Sequence, residues 1–167
     1  MRQLTRRDAI TRLSATAVGI VLLGLGGGAL AKPETFELTL SEAEWRKRLE
    51  PQAFAVLRQA ATERAFTSPL NDEHRTGTFL CKGCALPLYS SRTKFDSGTG
   101  WPSFWRPLPN AVRTSTDHLL GYARTEVHCR RCGGHLGHVF NDGPPPTGLR
   151  YCMNGVAMRF VPAKARS

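Results

Sequence analysis

The five cysteines of this chain divide into two close pairs and one single residue, and the pairs restrict its fold more than any other feature. Cys81 and Cys84 form one C-x-x-C pair, and Cys129 and Cys132 form a second pair far along the chain. Each pair places two thiols on one tight turn, and four thiols together are the ligand set of a tetrahedral zinc site. One zinc ion bound by both pairs would hold together two hairpins from distant parts of the sequence.

The predicted zinc ion is structural, because four sulfur ligands leave no open coordination position for a substrate. Two alternatives use the same four residues. The cysteines can form disulfides, as cysteines of exported proteins often do, or the pairs can cycle between thiol and disulfide in an oxidoreductase. The paired spacing favours zinc, and zinc that resists mild reductant and oxidant would exclude the cycling enzyme.

Residues 1–31 have the features of an export signal. Four arginines and one aspartate precede an uncharged apolar stretch at residues 13–30, which leads into the cleavage pattern Ala29-Leu30-Ala31. The pair Arg6-Arg7 resembles a twin-arginine signal. We therefore expect cleavage, a mature domain at residues 32–167 and export to the periplasm. The alternative is that the apolar stretch stays in place as a membrane anchor.

The chain is strongly basic, with a formal net charge of +10. A basic domain with two C-x-x-C pairs can be a zinc-ribbon-like module that binds nucleic acid. Export argues against this alternative, because little nucleic acid is found outside the cytoplasm. We expect no nucleic-acid partner, and contact with a membrane only through the signal during export.

The mature chain predicts two short helices followed by many short strands. Ser41 and Glu44 form a capping box at the start of the first helix, and Pro51 suits the first turn of the second. After Thr67, short runs of β-forming residues alternate with Gly, Pro, Asn and Asp. Seven strands are predicted, at residues 77–80, 86–91, 118–122, 125–128, 136–140, 149–153 and 156–160. The pattern indicates a mainly β domain with helices covering one side of its core.

The fifth cysteine, Cys152, is a candidate nucleophile. It lies in the segment Arg150-Tyr151-Cys152-Met153-Asn154, which predicts a strand. On a strand, Arg150 and Asn154 point to the same face as Cys152, so a positive charge lies near a thiol that is otherwise mostly protonated at neutral pH. The alternative for Arg150 is a simple surface charge.

Histidines and aromatic residues supply the remaining groups of the predicted site. His135 and His138 lie on one glycine-containing stretch, and the glycine-rich loop at residues 98–104 carries Trp101. A thiol, imidazoles, a cation and an aromatic wall together indicate a small, partly apolar pocket around a nucleophilic sulfur. Structural alternatives remain open: Trp101 and Phe140 as core aromatics, His135 as a cap on a cysteine turn, and Asp142 as a turn residue.

Several stretches of the sequence resemble one enzyme family. They are KFDSGTGWPSF at residues 94–104, CRRCGGHLGHVFNDGP at 129–144, PTGLRYCMN at 146–154 and the two C-x-x-C pairs. By these motifs the chain is similar to the B-type peptide methionine sulfoxide reductases from about residue 41 to 161. The resemblance implies a mainly β fold, with two small antiparallel sheets joined by one structural zinc ion and short N-terminal helices. It also implies reduction of the R epimer of methionine sulfoxide in proteins.

The resemblance further implies a role for each candidate residue. Cys152 attacks the sulfoxide sulfur and becomes a sulfenic acid, while a protonated group donates to the oxygen, which is otherwise a poor leaving group. The implied catalytic residues are Cys152, His138 as the more direct proton donor, His135, Arg150 as the charge that holds the thiolate, and Asn154 as an orienting group. The implied substrate-binding residues are Trp101 against the methyl group, Phe140 and Asp142.

One position departs from the family pattern. Many members have a cysteine in the G-x-G-W-P-S-F loop that resolves the sulfenic acid as an internal disulfide, whereas this chain has Thr99 there. With the paired cysteines assigned to zinc, we expect a one-cysteine cycle in which a small thiol or a thioredoxin-like partner reduces Cys152 directly. The signal would direct this activity to the repair of oxidised exported proteins. The A-type reductases are disfavoured, because their G-C-F-W-type motif is absent from the sequence.

Overall fold

The computed structural model describes residues 34–119 and 121–164. The expected export signal at residues 1–31 lies outside this part of the chain. Among the described residues, no helix is both long enough and apolar enough to cross a membrane.

Two short helices precede the strands. The first, α1, spans Glu42–Arg48, and the second, α2, spans Pro51–Gln59. The predicted capping box is present, because the Ser41 hydroxyl accepts a hydrogen bond from the Glu44 amide and the Glu44 carboxylate accepts one from the Ser41 amide. The apolar face of α2 is buried, and its members are Ala53, Phe54, Val56 and Leu57.

The rest of the described chain forms two antiparallel sheets. Its strands are β1 (Gly77–Cys81), β2 (Pro87–Ser90), β3 (Lys94–Phe95), β4 (Ser103–Phe104), β5 (Val112–Asp117), β6 (Arg124–Cys129), β7 (His135–Phe140), β8 (Arg150–Met153) and β9 (Met158–Pro162). The smaller sheet has the order β2-β1-β9, and the larger has the order β3-β4-β8-β7-β6-β5. The predicted fold class, a mainly β domain of two antiparallel sheets with short N-terminal helices, is confirmed.

Aromatic residues from both sheets meet in the core. Phe104 of β4 stacks on Tyr89 of β2 with ring centroids 4.3 Å apart, and it meets Phe79 of β1 edge-on at 4.9 Å. All three side chains are fully buried, and each contributes roughly 1.5–3 kcal/mol through the hydrophobic effect. This packing fixes the larger sheet, which carries Cys152, against the smaller one.

One predicted strand is wrong. Residues 118–122 were expected to be extended, but His118 and Leu119 lie in the connection between β5 and β6. The strand that precedes β6 is instead β5, at residues 112–117. Its sequence VRTSTD lacks an alternation of apolar and polar residues, because its central residues are exposed. Within the described residues it is an edge strand that pairs with β6 alone, so cross-strand pairing defines it instead of burial.

Candidate active site and metal centre

The two cysteine pairs meet at the turns of two hairpins. Cys81 and Cys84 lie at the β1–β2 turn of the smaller sheet, and Cys129 and Cys132 lie at the β6–β7 turn of the larger sheet. Their four sulfur atoms lie within 4.8 Å of one another, and all four residues are buried. The two distant hairpins that the sequence predicted are therefore brought together by this cluster.

The sulfur positions fit a metal ion better than disulfides. The Cys81 and Cys132 sulfurs are 3.8 Å apart, and those of Cys84 and Cys129 are 3.5 Å apart. A disulfide requires about 2.05 Å, whereas four sulfurs about 2.3 Å from a central ion are separated by roughly 3.8 Å in a tetrahedron. The cluster can hold one metal ion, and its burial leaves these sulfurs poorly placed for exchange with an external thiol.

An N-terminal strap, residues 34–40, packs on the second cysteine turn. The Phe36 ring fills the space beside Gly133, where an added Cβ would lie 2.6 Å from a ring carbon. The Leu38 amide donates a hydrogen bond to the Arg131 carbonyl at 2.9 Å, and the Glu37 carboxylate lies 3.4 Å from the Arg131 guanidinium. This contact was not predicted. Phe36, Leu38 and Leu40 alternate with polar residues as in a strand, but residues 34–40 belong to neither sheet.

Cys152 lies inside the larger sheet with a partner on each side. In the strand register it faces His138 of β7 and Ser103 of β4, and directly opposed residues of antiparallel strands place their side chains on the same face. A cavity of about 120 Å³ opens at this position. Its lining is formed by Cys152, His138, Trp101, Phe140, Asn154, Gly137, Thr62 and Arg124.

Hydroxyl groups surround the Cys152 sulfur on the side away from His138. The Thr99 hydroxyl oxygen is 3.8 Å from Sγ of Cys152. Ser97 links this hydroxyl to that of Ser103, at 2.8 Å from each. The loop that carries Thr99 is thus attached to β4 beside the thiol.

Burial determines whether the Cys152 thiol is protonated before substrate binds. Burial raises the pKa of Cys152, and the opposing contributions of Thr99, Arg150 and Ser103 do not offset it. At neutral pH the resting thiol is therefore protonated. Arg150 was expected to hold Cys152 as a thiolate. It does lower the pKa of Cys152, but the effect of burial is larger.

Arg150 is engaged by two other side chains. Its guanidinium makes a bidentate pair with the Asp142 carboxylate at 2.9 and 2.8 Å, and it stacks over the Phe140 ring at 4.4 Å. The hydrogen bonds from Arg150 lower the pKa of Asp142. Asp142 therefore positions Arg150, which in turn supports Phe140 at the cavity wall.

A carboxylate pairs with the imidazole opposite Cys152. Nε2 of His138 lies 2.7 Å from the Asp117 carboxylate, which also accepts a hydrogen bond from Arg124 at 2.5 Å. The pKa of Asp117 is lowered to about 2, first by the hydrogen bond from the Leu119 backbone amide and then by the one from His138. Burial lowers the pKa of His138 and outweighs the opposing effect of Asp117. His138 is therefore a neutral imidazole at neutral pH.

His135 lies behind His138 instead of on the cavity. Its Nδ1 is 2.7 Å from the Glu126 carboxylate, and its ring meets the His138 ring edge-on at 5.4 Å. The hydrogen bond from His135 holds the pKa of Glu126 at about 2. The structure thus places His135 in contact with a group at the site and not with the cavity itself.

Asn154 and Trp101 are held by the backbone that covers the cavity. The Asn154 side chain accepts a hydrogen bond from the Glu63 amide at 2.8 Å and donates one to the Leu136 carbonyl at 3.1 Å. The indole N–H of Trp101 donates to the Glu63 carbonyl at 2.9 Å. Asn154 was expected as an orienting group, but among the described contacts it is Asp117 and Glu126 that bind the imidazoles.

Sequence reasoning found most of the cavity and missed part of it. Of the predicted residues, Cys152, His138, Asn154, Trp101 and Phe140 line the cavity. His135 and Arg150 contact lining residues, and Asp142 lies behind Arg150. Thr62, Arg124, Asp117 and Glu126 were missed. Their sequence surroundings give no signal, because only the register of β5, β6 and β7 brings the carboxylates to the imidazoles.

Known proteins are similar in sequence to most of this chain. A family model described as the SelR domain matches residues 49–162. A peptide methionine sulfoxide reductase MsrB of Thiobacillus denitrificans is 54% identical over 123 residues, which cover 73% of this chain and 93% of that protein. The MsrB of Agrobacterium fabrum is 52% identical over 123 residues, covering 73% and 91%. That of Pseudomonas putida is 54% identical over 120 residues, covering 71% and 90%.

Proposed function

The chain belongs to the SelR-domain family of B-type peptide methionine sulfoxide reductases, and we propose that it reduces the R epimer of methionine sulfoxide in oxidised proteins through Cys152. It is an oxidoreductase of the peptide-methionine (R)-S-oxide reductase class. The observation that carries the proposed role of Cys152 is its position at an aromatic-walled cavity, directly opposite a carboxylate-bound histidine.

The cavity suits the end of a methionine sulfoxide side chain. Its volume of about 120 Å³ admits a methyl sulfoxide group but not a whole peptide. Trp101 and Phe140 supply aromatic walls for the methyl group and the sulfur, contacts that contribute about 0.3–1.5 kcal/mol each. We assign the polar lining, formed by His138 and Arg124, to the sulfoxide oxygen.

In the proposed reaction the Cys152 sulfur attacks the sulfoxide sulfur. A bond forms between the two sulfurs as the protonated oxygen leaves as hydroxide. Hydroxide then adds to the Cys152 sulfur and the sulfur–sulfur bond breaks, so that the thiol and the sulfoxide become a sulfenic acid and a thioether. The enzyme sulfur loses two electrons and the methionine sulfur gains them. No further oxidant or reductant enters this first half of the cycle.

One proton must move from the thiol to the sulfoxide oxygen. Cys152 begins as a thiol and His138 as a neutral imidazole, and we assign the tautomer of His138 from its hydrogen bond to Asp117, with Nε2 as the donor. The lone pair on Nδ1 can then accept the thiol proton as the attack begins. The imidazolium returns that proton to the oxygen, which makes it a competent leaving group. Arg150 favours the transient thiolate.

The second half of the cycle uses an external thiol. In the proposal, a thiol attacks the sulfenic sulfur of Cys152, a mixed disulfide forms and water leaves; a second thiol then releases Cys152 in its reduced state. A small thiol or a thioredoxin-like protein can supply both equivalents. Thr99 lies nearest to the sulfur in the loop where a resolving cysteine would be expected, and the paired cysteines are buried in their own cluster.

We propose that the metal of the cysteine cluster is a structural zinc ion held by Cys81, Cys84, Cys129 and Cys132. Four thiolates are ligands that zinc accepts in closed sites, and the sulfur separations suit that geometry. When bound, zinc supplies no chemistry to the substrate and joins the two hairpins. The cluster thereby fixes β6 and β7, which carry Glu126, His135 and His138.

Export to the periplasm and repair of exported proteins are also proposed. The proposal rests on the signal features of residues 1–31, including Arg6-Arg7. Fractionation of cells that express the full chain tests it. We expect a shortened periplasmic product, and its loss when Arg6 and Arg7 are both replaced by Lys. Retention of the full-length chain in the membrane fraction would instead support an uncleaved anchor.

The activity is tested with separated epimers. Purified, zinc-loaded protein is incubated with peptides that contain the R or the S epimer of methionine sulfoxide, with dithiothreitol as reductant. We expect consumption of the R epimer alone and none with Cys152→Ser. Turnover that survives in Cys152→Ser would reject Cys152 as the nucleophile. No turnover of either epimer by the zinc-loaded protein would leave the non-catalytic binding module as the better explanation.

A further inference from the structure

A second concavity adjoins the Cys152 cavity and shares one of its walls. It has a volume of about 230 Å³, and its apolar lining consists of Phe66, Phe95, Pro102 and Trp101. Trp101 also lines the Cys152 cavity, so the two spaces adjoin at this residue. A polypeptide whose methionine sulfoxide enters the first space must therefore pass close to the second.

An exposed aromatic ring is held at the rim of this concavity. Phe66 is 73% exposed, although an aromatic side chain of this size is normally buried. Its backbone has φ of +64°, a left-handed conformation that is costly for a residue other than glycine and that often marks functional sites. The fold thus sustains an unfavourable backbone conformation at a residue whose ring has little contact with the core.

Gly100 is the residue that fixes Phe66 in this position. The Phe66 amide donates a hydrogen bond to the Gly100 carbonyl at 2.7 Å. A Cβ added at Gly100 would lie 2.8 Å from the backbone nitrogen of Phe66 and 2.8 Å from its ring, so only glycine allows this approach. Because Gly100 directly precedes Trp101, Phe66 is joined to the wall of the Cys152 cavity.

Polar side chains also line the concavity, among them Asp72, His74, Lys94 and Asp96. The Lys94 ammonium donates to the Asn71 carbonyl at 2.6 Å, and the Asp96 carboxylate accepts a hydrogen bond from the Gly98 amide at 2.9 Å. Beside these polar groups, Phe66, Phe95 and Trp101 supply aromatic surface, and Trp101 also lines the Cys152 cavity. Aromatic rings next to the sulfoxide site suit a large apolar side chain of the substrate.

We infer that this concavity is a subsite for a large aliphatic or aromatic side chain within two residues of the methionine sulfoxide in a protein substrate. The inference rests on the proposed function, since it takes the Cys152 cavity as the site of the sulfoxide. An extended chain advances about 3.3–3.6 Å per residue, so a neighbouring side chain reaches across Trp101. Phe66 is then a specificity-determining residue, and oxidised methionines in apolar segments are the preferred substrates.

The test is a leucine scan around the oxidised methionine. The peptides are an all-glycine pentapeptide with the R epimer of methionine sulfoxide at its centre, four versions with one Leu at each other position, and the matching Lys and Glu peptides. For the unmodified enzyme we expect kcat/KM about three- to tenfold higher with Leu than with Gly at one or more positions. No preference for Leu, or a stronger preference for Lys or Glu, would overturn the inference.

Variants at residue 66 separate recognition from folding. Phe66→Asn removes the ring but suits the left-handed backbone, and we expect the ratio of kcat/KM between Leu and Gly peptides to fall to about one. Phe66→Tyr keeps the ring and should keep the ratio. Val161→Ala removes an exposed apolar side chain from β9 and should change neither rates nor ratio. Equal losses on all peptides with Phe66→Asn would indicate a structural role and reject the subsite.

Two outcomes of the leucine scan distinguish failure of the subsite from failure of the proposed function. If the unmodified enzyme reduces the all-glycine peptide without a preference for Leu, the subsite fails while the proposed function stands. If it reduces none of the peptides, the proposed function itself fails.

Discussion

The hydroxyl oxygen of Thr99 lies 3.8 Å from the sulfur of Cys152. This contact joins the loop between β3 and β4 to the middle of the larger sheet, and it places residue 99 within reach of any species formed on the sulfur. A cysteine at this position could therefore reduce the sulfenic acid of Cys152, whereas any other side chain leaves that step to an external thiol. In this chain the side chain is a hydroxyl, which cannot form a disulfide.

The first prediction concerns the oxidised enzyme after one turnover. With one equivalent of methionine sulfoxide and no reductant, we expect Cys152 to accumulate as a sulfenic acid that dimedone labels, with no internal disulfide. Thr99→Cys should instead form a disulfide with Cys152, because the two side chains already lie in contact. Mass spectrometry of the intact and digested protein distinguishes these products.

Thr99→Ser is the matched control for that experiment, since it keeps the hydroxyl and should keep the sulfenic acid. An internal disulfide to Cys152 in the unmodified, zinc-loaded enzyme would contradict the one-cysteine cycle. Failure of Thr99→Cys to form a disulfide would show that the loop moves away from the sulfur during catalysis.

The second prediction concerns the dependence of kcat/KM on pH. The proposed cycle needs a protonated Cys152 and a neutral His138. Activity should fall at low pH, as His138 gains a proton with a pKa below 6.5, and at high pH, as Cys152 loses one with a pKa above 9.0. Asp117 raises the pKa of His138, so Asp117→Asn should move the acid limb to still lower pH and reduce the maximal rate about tenfold or more.

Glu126→Gln is the control for Asp117→Asn. It removes the carboxylate bound to His135, and we expect a smaller effect on the acid limb because His135 does not line the cavity. An acid limb that stays in place in Asp117→Asn would show that His138 is not the group that titrates.

The third prediction concerns the metal. Elemental analysis should find one zinc ion per chain, and Cys129→Ser should lower both the zinc content and the midpoint of thermal unfolding. Structural zinc sites contribute on the order of 10 kcal/mol to folding, so we expect the midpoint to fall steeply. Thiol titration of the denatured, chelated protein should give five free thiols. Retained zinc and an unchanged midpoint in Cys129→Ser would contradict the four-sulfur site.

Local sequence signals predicted those parts of the fold that depend on neighbouring residues. The capping box at Ser41 and Glu44 fixed the start of α1, and the two C-x-x-C pairs predicted the joined hairpins. The strand β5 was missed because its residues are polar and its position depends on hydrogen bonds to β6, whose residues follow later in the chain. Hydrogen bonds between strands form only in the folded sheet, so no local sequence pattern predicts them.

The same limit applies to the candidate site. Cys152 and His138 stand out by residue type and by resemblance, and the register of β7 and β8 places them opposite each other. Asp117 was missed because no local pattern links it to His138, which follows two strands later. The sign of the pKa shift of Cys152 was also beyond the sequence, since burial, and not the charge of Arg150, dominates it.

The last prediction concerns the N-terminal strap, which lies outside the range matched by the SelR domain model. Its Phe36 ring covers Gly133, and Glu37 pairs with Arg130 and Arg131 beside Cys132. Phe36→Ala should therefore speed zinc release to a chelator about tenfold, the loss expected for a partly buried aromatic ring. Glu37→Gln should speed release at low salt and match the unmodified chain at high salt, which screens ion pairs. Phe66→Asn, which removes an exposed ring and suits the left-handed backbone at that position, is the control. Equal release rates for Phe36→Ala and the control would show that the strap does not protect the metal.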